Sequence, residues 1–543
     1  MVKDIIMNGQ INNQIIILLS LNFSENKYIY CKFPLMRFLT FILISFLFLT
    51  TSAQQQTPKN IIIFIADGGG YNQIMCTDYY LYGDSGKSPM ASFPVQLAMS
   101  TYNGSLQSTG ATCYNSKKFW TDFSYGMAGF TESAASATAM GTGFKTHNSM
   151  IGMNLDGNPM TNIMEIGKAK GKKTGVVTSV PFCHATPAGF STHSKSRHGF
   201  SEITDQMLFS GTLDVVGGSG HPWFDNDGNA VSVPFTKYID TVSWNKVKSE
   251  NIWKYTESRN EIRLLASEKN APEKLFMLAP VSGNLAEARE GKSIVPYDIP
   301  VKQTIPTLAE MSLAALNTLS SDPDGFILMI EGGAIDWANH DNDLPRMIEE
   351  YSWFYNTVDS VQQWLGAKGI LDETLIIVTN DHECGYLWGH GSGGATFVLP
   401  ANNGKGKLPE YKYYSTNHSN TLVPFFAKGP SSEIFYSLAD ENDSVRGPFL
   451  TNSEIAIAVK MLLGNTTHIY RSNPSSTKGV FLTATLPCPD AKIQWKADDK
   501  TIAGANLVQF FIDPAVFKKP VTISCEVTCG ETKFTSQNYE YKP

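Results

Sequence analysis

Positive charge is what this chain is short of. Its 543 residues carry 43 lysines and arginines against 50 aspartates and glutamates, a formal net of −7. Beyond Ala53 the counts are 39 and 48, a net of −9, which excludes nucleic-acid binding through a broad basic surface. It does not exclude a small phosphorylated substrate, because bound metal ions invert the local field. Cysteine is sparse: eight residues, seven of them after Ala53 (Cys76, Cys113, Cys183, Cys384, Cys488, Cys525 and Cys529). Their spacing matches no zinc knuckle, so cysteine is not expected as a metal ligand, and an odd number leaves one thiol over if disulfides form. Histidine is scarcer than the chain length suggests, ten residues in all, and most are expected to be bystanders. No apolar run near the start reaches the about 20 residues that a spanning helix needs. What is present, 42% hydrophobic and 17% charged residues, is the make-up of a globular protein.

The short apolar run Phe38 to Leu49 has another reading. Met36-Arg37 precedes it and Thr51-Ser52-Ala53 follows. A basic residue, a brief apolar segment and a small-residue cleavage site make residues 36–53 a secretory signal peptide. Translation is then expected to start at Met36, with residues 1–35, which show no core pattern, a non-native upstream extension. An uncleaved membrane anchor is the alternative. Cleavage near Ala53 implies a secreted or periplasmic protein, and such a compartment permits disulfides. Residues 54–59 read as linker.

From Asn60 the texture is that of an α/β domain. Ile61 to Ala66 is a continuous apolar run ending in Asp67-Gly68-Gly69-Gly70, the pattern of a strand buried on both faces and entering a tight turn. Thr174 to Val180, Phe326 to Ile330 and Leu375 to Thr379 repeat it, with helical patterns over Met160 to Lys170 and Arg346 to Leu365. Strands alternating with helices predict a large, mostly parallel sheet flanked by helices. Residues 205–310 look less regular: Gly217 to Trp223 reads as loop, and Asp225-Asn226-Asp227-Gly228-Asn229 as a turn, because Thr236 stands where a calcium loop needs glutamate. Residues 386–415 read as an excursion from the sheet. A helix over Asn452–Leu463 closes a domain spanning 60–465. After Pro474 short β-type runs predict a second, all-β domain over 472–543. Cys488, Trp495 and Cys525 suggest an immunoglobulin-like sandwich, with Cys529 a competing partner and Trp495, Phe510 and Phe511 read as core.

Three of the strands end in acidic residues: Asp67, Glu331 and Asp381, the last followed at once by His382. In open α/β sheets sites form beyond the carboxyl ends of strands. Asp336 and His340 are four apart, so one helical turn points both at the same ion. Histidine with carboxylates suits Zn²⁺; carboxylates with a hydroxyl and water suit Mg²⁺. Thr131 to Gly143 adds a run of small residues with Glu132 and Ser133 at its mouth. An alanine-rich run with Thr, Glu and Ser at its start predicts a helix, and the start of a helix favours an anion. Close packing against a neighbour explains such a run equally well.

The run Glu132-Ser133-Ala134-Ala135-Ser136-Ala137-Thr138-Ala139 resembles the nucleophile motif of alkaline phosphatases. The rest of that family's pattern follows in order: Asp67-Gly68, Ala185-Thr186-Pro187-Ala188 with Arg197, Glu331-Gly332 with Asp336 and His340, Asp381-His382-Glu383, and His418. The likeness spans about residues 60–465 and implies a phosphomonoesterase using two Zn²⁺ and one Mg²⁺. It implies that Asp336, His340 and His418 hold one zinc and Asp67, Asp381 and His382 the other. Asp67, Thr186 and Glu331 would hold the magnesium. Ser133 would be the nucleophile and Arg197 the phosphate clamp. A homodimer and small phosphomonoester substrates are also implied, without a stable membrane anchor after cleavage. The alternative within the superfamily is a phosphodiesterase or sulfatase. The pattern is broken at three places: Glu132 stands where aspartate is usual, one methylene longer. His184 replaces the aspartate of the best-known bacterial form, as in animal members. Trp337 stands where lysine or histidine often meets phosphate through water.

Overall fold

The structure is a computed structural model describing residues 5–11, 14–19, 29–34, 57–105, 113–269, 271–464, 469–471, 479–484, 492–507, 509–529, 532–536 and 538–543. It divides into one unit over Met1–Gln56 and another over Thr57–Pro543. In the first, where the sequence shows no core pattern, Ile5–Ile11, Gln14–Leu19 and Ile29–Pro34 pair as a three-stranded antiparallel sheet. The expected signal peptide, residues 36–53, lies outside the described residues.

The second unit is built on one sheet of eleven strands. In chain order these are β1 Asn60–Ala66, β2 Val95–Ser100, β3 Lys173–Pro181, β4 Val215–Ser219, β5 Lys254–Thr256 and β6 Leu275–Leu278. They continue with β7 Phe326–Gly332, β8 Thr374–Thr379, β9 Val423–Lys428, β10 Glu441–Asp443 and β11 Gly447–Thr451. Across the sheet the order is β10-β11-β2-β9-β8-β1-β7-β3-β4-β6-β5. Seven neighbouring strands from β8 to β5 run parallel, whereas β9 and β10 run against the rest. The mostly parallel α/β sheet expected from the strand–helix alternation is therefore present.

The continuous apolar run of β1 is explained by its position. Ile61, Ile63 and Ile65 pack into the core on one face, with Met140 of α1 (Ser133–Thr142). Ile62 and Phe64 pack on the other, with Phe354 and Val358 of the long helix Leu344–Lys368. A strand sandwiched this way has no solvent face to make polar. The helical pattern over Arg346 to Leu365 is the middle of that helix. Met160 to Lys170 shortens to Ile163–Ala169, because Asn162 and Glu165 close a capping box at its start.

The irregular reading of residues 205–310 is corrected here. Gly217, Gly218 and Ser219 are not loop but part of buried β4, and β6 and β5 extend the sheet beyond it. Glycines in a central strand remove the side chains on which the alternation signal depends. The segment 225–229 is a turn in which Asp225 Oδ1 accepts from the amides of Asp227 and Asn229 at 3.0 and 2.7 Å.

The C-terminal strands form two small sheets. One is Ile469–Arg471, Val480–Ala484 and Gln509–Ile512; the other is centred on Val521–Cys529. Leu482, Trp495, Ile512 and Ile523 share one core, with Trp495 fully buried and its indole N–H donating to Leu507 O at 2.8 Å. Cys525 is a free buried thiol, and Cys488 lies outside the described residues. Phe511, read as core, is instead 40% exposed, since its neighbour Phe510 is the ring that stacks on Trp495 at 5.4 Å.

Candidate metal centre and nucleophile

Four adjacent strands, β8-β1-β7-β3, deliver the polar residues to one end of the sheet. Asp67 follows β1, Glu331 is the penultimate residue of β7, and Asp381 and His382 follow β8. Beyond β3 the chain turns through His184 into α2 (Ala185–Ser191), which carries Thr186. Beyond β7 it enters α3 (Ala334–His340), which carries Asp336 and His340. Gly68 makes the turn after β1 possible: its φ is +71°, and a Cβ there would lie 2.5 Å from Asp336 Cα. His418 arrives from the excursion, because His418–Ser419 pairs antiparallel with Glu383–Cys384.

The small-residue stretch satisfies both readings at once. All ten residues of α1 are buried. The helix packs on α2 so closely that a Cβ on Gly141 would sit 2.7 Å from Gly189 O, and one on Gly189 would sit 2.7 Å from Ala137 Cβ. Its first residue is Ser133 and its N-cap is Glu132, whose Oε1 accepts from Ala135 N at 3.0 Å and Ser149 N at 2.6 Å. The other Glu132 oxygen receives Arg197 Nη1. The glutamate thus caps the helix and aims the guanidinium.

Ser133 Oγ lies 3.4 Å from Asp67 Oδ1 and 3.2 Å from His382 Nε2. His382, read from the sequence only as a metal ligand, thus also stands beside the serine hydroxyl. Burial and then the nearby His418 hold His382 well below its ordinary pKa, which makes it a neutral ligand-type imidazole. Its Nε2 also lies 3.2 Å from Asp381 Oδ2 and 3.5 Å from Asp67 Oδ1. Asp67, Asp381 and His382 therefore converge on one point, as a metal-binding trio does.

A second group forms beside it. His418 Nε2 and His340 Nε2 lie 3.2 and 3.4 Å from the two oxygens of Asp336, and 2.9 Å from each other. Each ring's Nδ1 faces a carbonyl oxygen, Thr416 O at 2.7 Å for His340 and Thr131 O at 3.0 Å for His418. A carbonyl accepts only from N–H, so in its neutral form each ring keeps its proton on Nδ1 and offers Nε2 as the ligand atom. The expectation that cysteine stays out of the metal chemistry meets a departure. Cys384 Sγ belongs to this cluster, within 4.8 Å of the Asp336, His340 and His418 ligand atoms. The strand pairing with His418, invisible in the sequence, brings it there.

A third set surrounds Asp67 Oδ2, to which Thr186 Oγ1 donates at 3.4 Å. Glu331 accepts from Thr178 through one oxygen, while its Oε1 is buried without a hydrogen-bond partner. Asp381 Oδ2 is likewise orphaned. Orphaned buried carboxylate oxygens are uncommon in folded proteins, and a bound ion is one partner that would satisfy them.

The electrostatics say the same. Asp67, Glu331, Asp336 and Asp381 are all buried around this point. Burial, then Asp381, Asp336 and Glu331, pushes Asp67 well above the carboxylate range, and burial, then Asp336, raises Asp381 to about 7. Asp336 is the exception: burial raises it, but His418 and His340 outweigh that and hold it well below. His340 rises to about 9 through its bond to Asp336. Four carboxylates so placed need cations. The donor sets fit, with imidazole and carboxylate at two points, carboxylate and hydroxyl at the third.

An open cavity of about 410 Å³ gives access, with Ser133, Arg197, His340 and His418 on its walls. His184 and Trp337 line it too, their rings 5.9 Å apart edge to face. Burial, then Arg197, lowers His184 to about 3. The cavity also exposes Glu287 and Asp341, which the sequence reading did not single out. Glu287 sits in the segment read as irregular, where no periodicity marks its direction.

The family described as alkaline phosphatase matches residues 58–414. Alkaline phosphatase 3 of Bacillus subtilis is 30% identical over 336 residues, 61% of this chain and 62% of its own length. Alkaline phosphatase 4 of the same organism is matched over 50% of its length, so the chain spans less than two thirds of these two relatives. Alkaline phosphatase of Escherichia coli is 26% identical over 73% of this chain and 86% of its own. Among solved structures, the phosphatase from the Antarctic bacterium TAB5 superposes with a TM-score of 0.53 at 24% identity, over 76% of this chain and 99% of that one. A variant of that protein was solved with Mg bound in its M3 site.

Proposed function

We propose, since this chain belongs to the alkaline phosphatase family, that it hydrolyses phosphate monoesters to an alcohol and inorganic phosphate with Ser133 as nucleophile. The observation that carries the reading is the position of Ser133 Oγ, at the start of a buried helix and within 3.4 Å of both Asp67 and His382. One zinc would be held by Asp336, His340 and His418, and a second by Asp67, Asp381 and His382. Magnesium would be held by Asp67, Thr186 and Glu331. When bound, such ions supply Lewis acidity, which lowers the pKa of coordinated oxygens and offsets charge on entering and leaving groups.

The chain's own residues do the rest. Ser133 Oγ forms a bond to phosphorus as the ester oxygen departs with the alcohol, giving a phosphoseryl intermediate. Water then attacks phosphorus, the Ser133 ester bond breaks and inorganic phosphate leaves. Arg197 offers two N–H groups of its planar fork to the phosphoryl oxygens, and Glu132 keeps that fork in place. Ala134 and Ala135 leave room above the helix start, and the α1 N-terminus favours the anion.

The leader-like residues 36–53 support export to the exterior or the periplasm. Among the described residues no helix is long and apolar enough to cross a membrane. A homodimer is the assembly implied by the family likeness. The test is turnover of p-nitrophenyl phosphate and of its bis-ester by the protein as isolated, after chelation, and after return of Zn²⁺ and Mg²⁺, beside Ser133→Ala. Monoester turnover that vanishes on chelation, returns with the metals and is lost in the variant is the expected result. Metal-independent turnover, or preference for the bis-ester, would overturn it.

A further inference from the structure

Once Arg197 is committed to phosphate, the mouth of the cavity is acidic and aromatic. Arg197 is the only lysine or arginine among the described residues lining it, and it is engaged by Glu132. The remaining wall towards solvent carries Glu287, Asp341 and the half-buried Trp337. Glu287 is half-buried and fixed, its Oε2 accepting from Asn284 Nδ2 at 2.9 Å. Asp341 is exposed and follows His340, so its carboxylate acts through solvent and counts for less. Burial raises the Glu287 carboxyl above its usual range, Asn284 and Arg346 oppose that, and Asp341 and Asp343 add to it.

A wall of one fixed carboxylate, one exposed carboxylate and an indole suits a particular leaving group. An organic cation is attracted by the carboxylates and by an aromatic face, the pairing that recognises quaternary ammonium groups. An anionic leaving group meets repulsion from both carboxylates, and among the described residues no lysine lines the cavity. We propose that this site prefers phosphomonoesters of short alcohols carrying an ammonium group, with Glu287 and Trp337 as the residues that set the preference. The proposal rests on the phosphomonoesterase reading and deepens it. Asp341 contributes at longer range.

The test compares kcat/KM for three esters of similar size on the metal-loaded full chain. They are phosphocholine, its neutral isostere 3,3-dimethylbutyl phosphate, and the phosphate ester of 3-hydroxypropanoate. A cation held against one carboxylate and one indole is worth about a tenfold preference. The expected order is cation above neutral by about tenfold and neutral above anion. In Glu287→Gln the cation-to-neutral ratio falls to about threefold or less, and Trp337→Leu lowers it similarly, chiefly through KM. Equal kcat/KM for all three esters in the unmodified protein overturns this inference alone. So does a ratio that neither substitution moves. A protein that hydrolyses none of the three overturns the phosphomonoesterase reading, and this inference with it.

Discussion

Glu132→Gln removes one charge and almost no volume, which makes it the sharpest probe of how the nucleophile and the clamp are tied together. The carboxylate faces donors on both sides: Ala135 N and Ser149 N at one oxygen, Arg197 Nη1 at the other. Two acceptor oxygens satisfy that arrangement. An amide has one acceptor and one donor, so either orientation turns an N–H₂ group towards N–H groups. If the amide oxygen keeps the backbone contacts, Arg197 faces a donor and swings away. If it keeps Arg197, the helix cap carrying Ser133 opens. The pair is only 9% and 16% exposed, so water does little to replace what is lost. A hydrogen bond to a charged group is worth about 1.5–3 kcal/mol, which at 1.4 kcal/mol per decade is about ten- to a hundredfold. kcat/KM for p-nitrophenyl phosphate should therefore fall by that factor, and the inhibition constant of inorganic phosphate should rise with it. Glu132→Asp keeps two acceptors but shortens the reach, and it should fall less. If Glu132→Gln stays within twofold of the unmodified protein in both quantities, the account of Glu132 as the shared anchor is wrong.

Other perturbations separate the remaining parts. Trp337→Lys places a positive charge at the mouth; an exposed charge pair is worth about 1 kcal/mol, so phosphate inhibition should tighten by about fivefold, and unchanged inhibition would show that a side chain at position 337 does not reach bound phosphate. Glu331→Ala should lower magnesium content while zinc content holds, as read by elemental analysis; equal magnesium in both proteins would remove Glu331 from that site. Glu350, whose Oε1 is buried without a hydrogen-bond partner, is raised by burial, then by Glu287 and Glu349, to about 8. A carboxyl raised on folding stabilises the protonated protein, and that contribution is lost as pH rises from its unfolded value through about 8. Glu350→Gln should accordingly gain thermal stability over the unmodified protein from pH 6 to pH 9 (about the range of that titration), with little difference near pH 4.5; a pH-independent offset would refute it.

The parts of the molecule legible in the sequence are those whose signal is local. A strand buried on both faces must be apolar throughout, so β1, β3, β7 and β8 announce themselves, and β1, β7 and β8 mark by the acidic residues at their ends where a site lies. The four-residue spacing of Asp336 and His340 becomes one side of a helix, and the two side chains meet as the spacing requires. Where glycine interrupts, as in β4, the alternation disappears and so does the reading. Residues 205–310 hold one clear apolar run, Leu275 to Ala279, which is β6, and the other two strands there complete the sheet because pairing with a neighbour supplies what the local pattern lacks.

The sequence alone determined the residue types, their order, and that Ser133 stands at the start of a helix of small side chains. It also determined the overall excess of acidic residues. Only the tertiary structure decided which of these side chains cluster, since Asp336 and His418 are 82 positions apart in the chain and meet through the pairing of 383–384 with 418–419. It decided that Glu132 serves the helix and Arg197 together, that His382 lies beside the serine, and that Cys384 and Glu287 border the site. Those facts depend on distances between segments remote in sequence. Local propensity and periodicity carry information over a turn or a strand, whereas a metal centre is assembled from the ends of several.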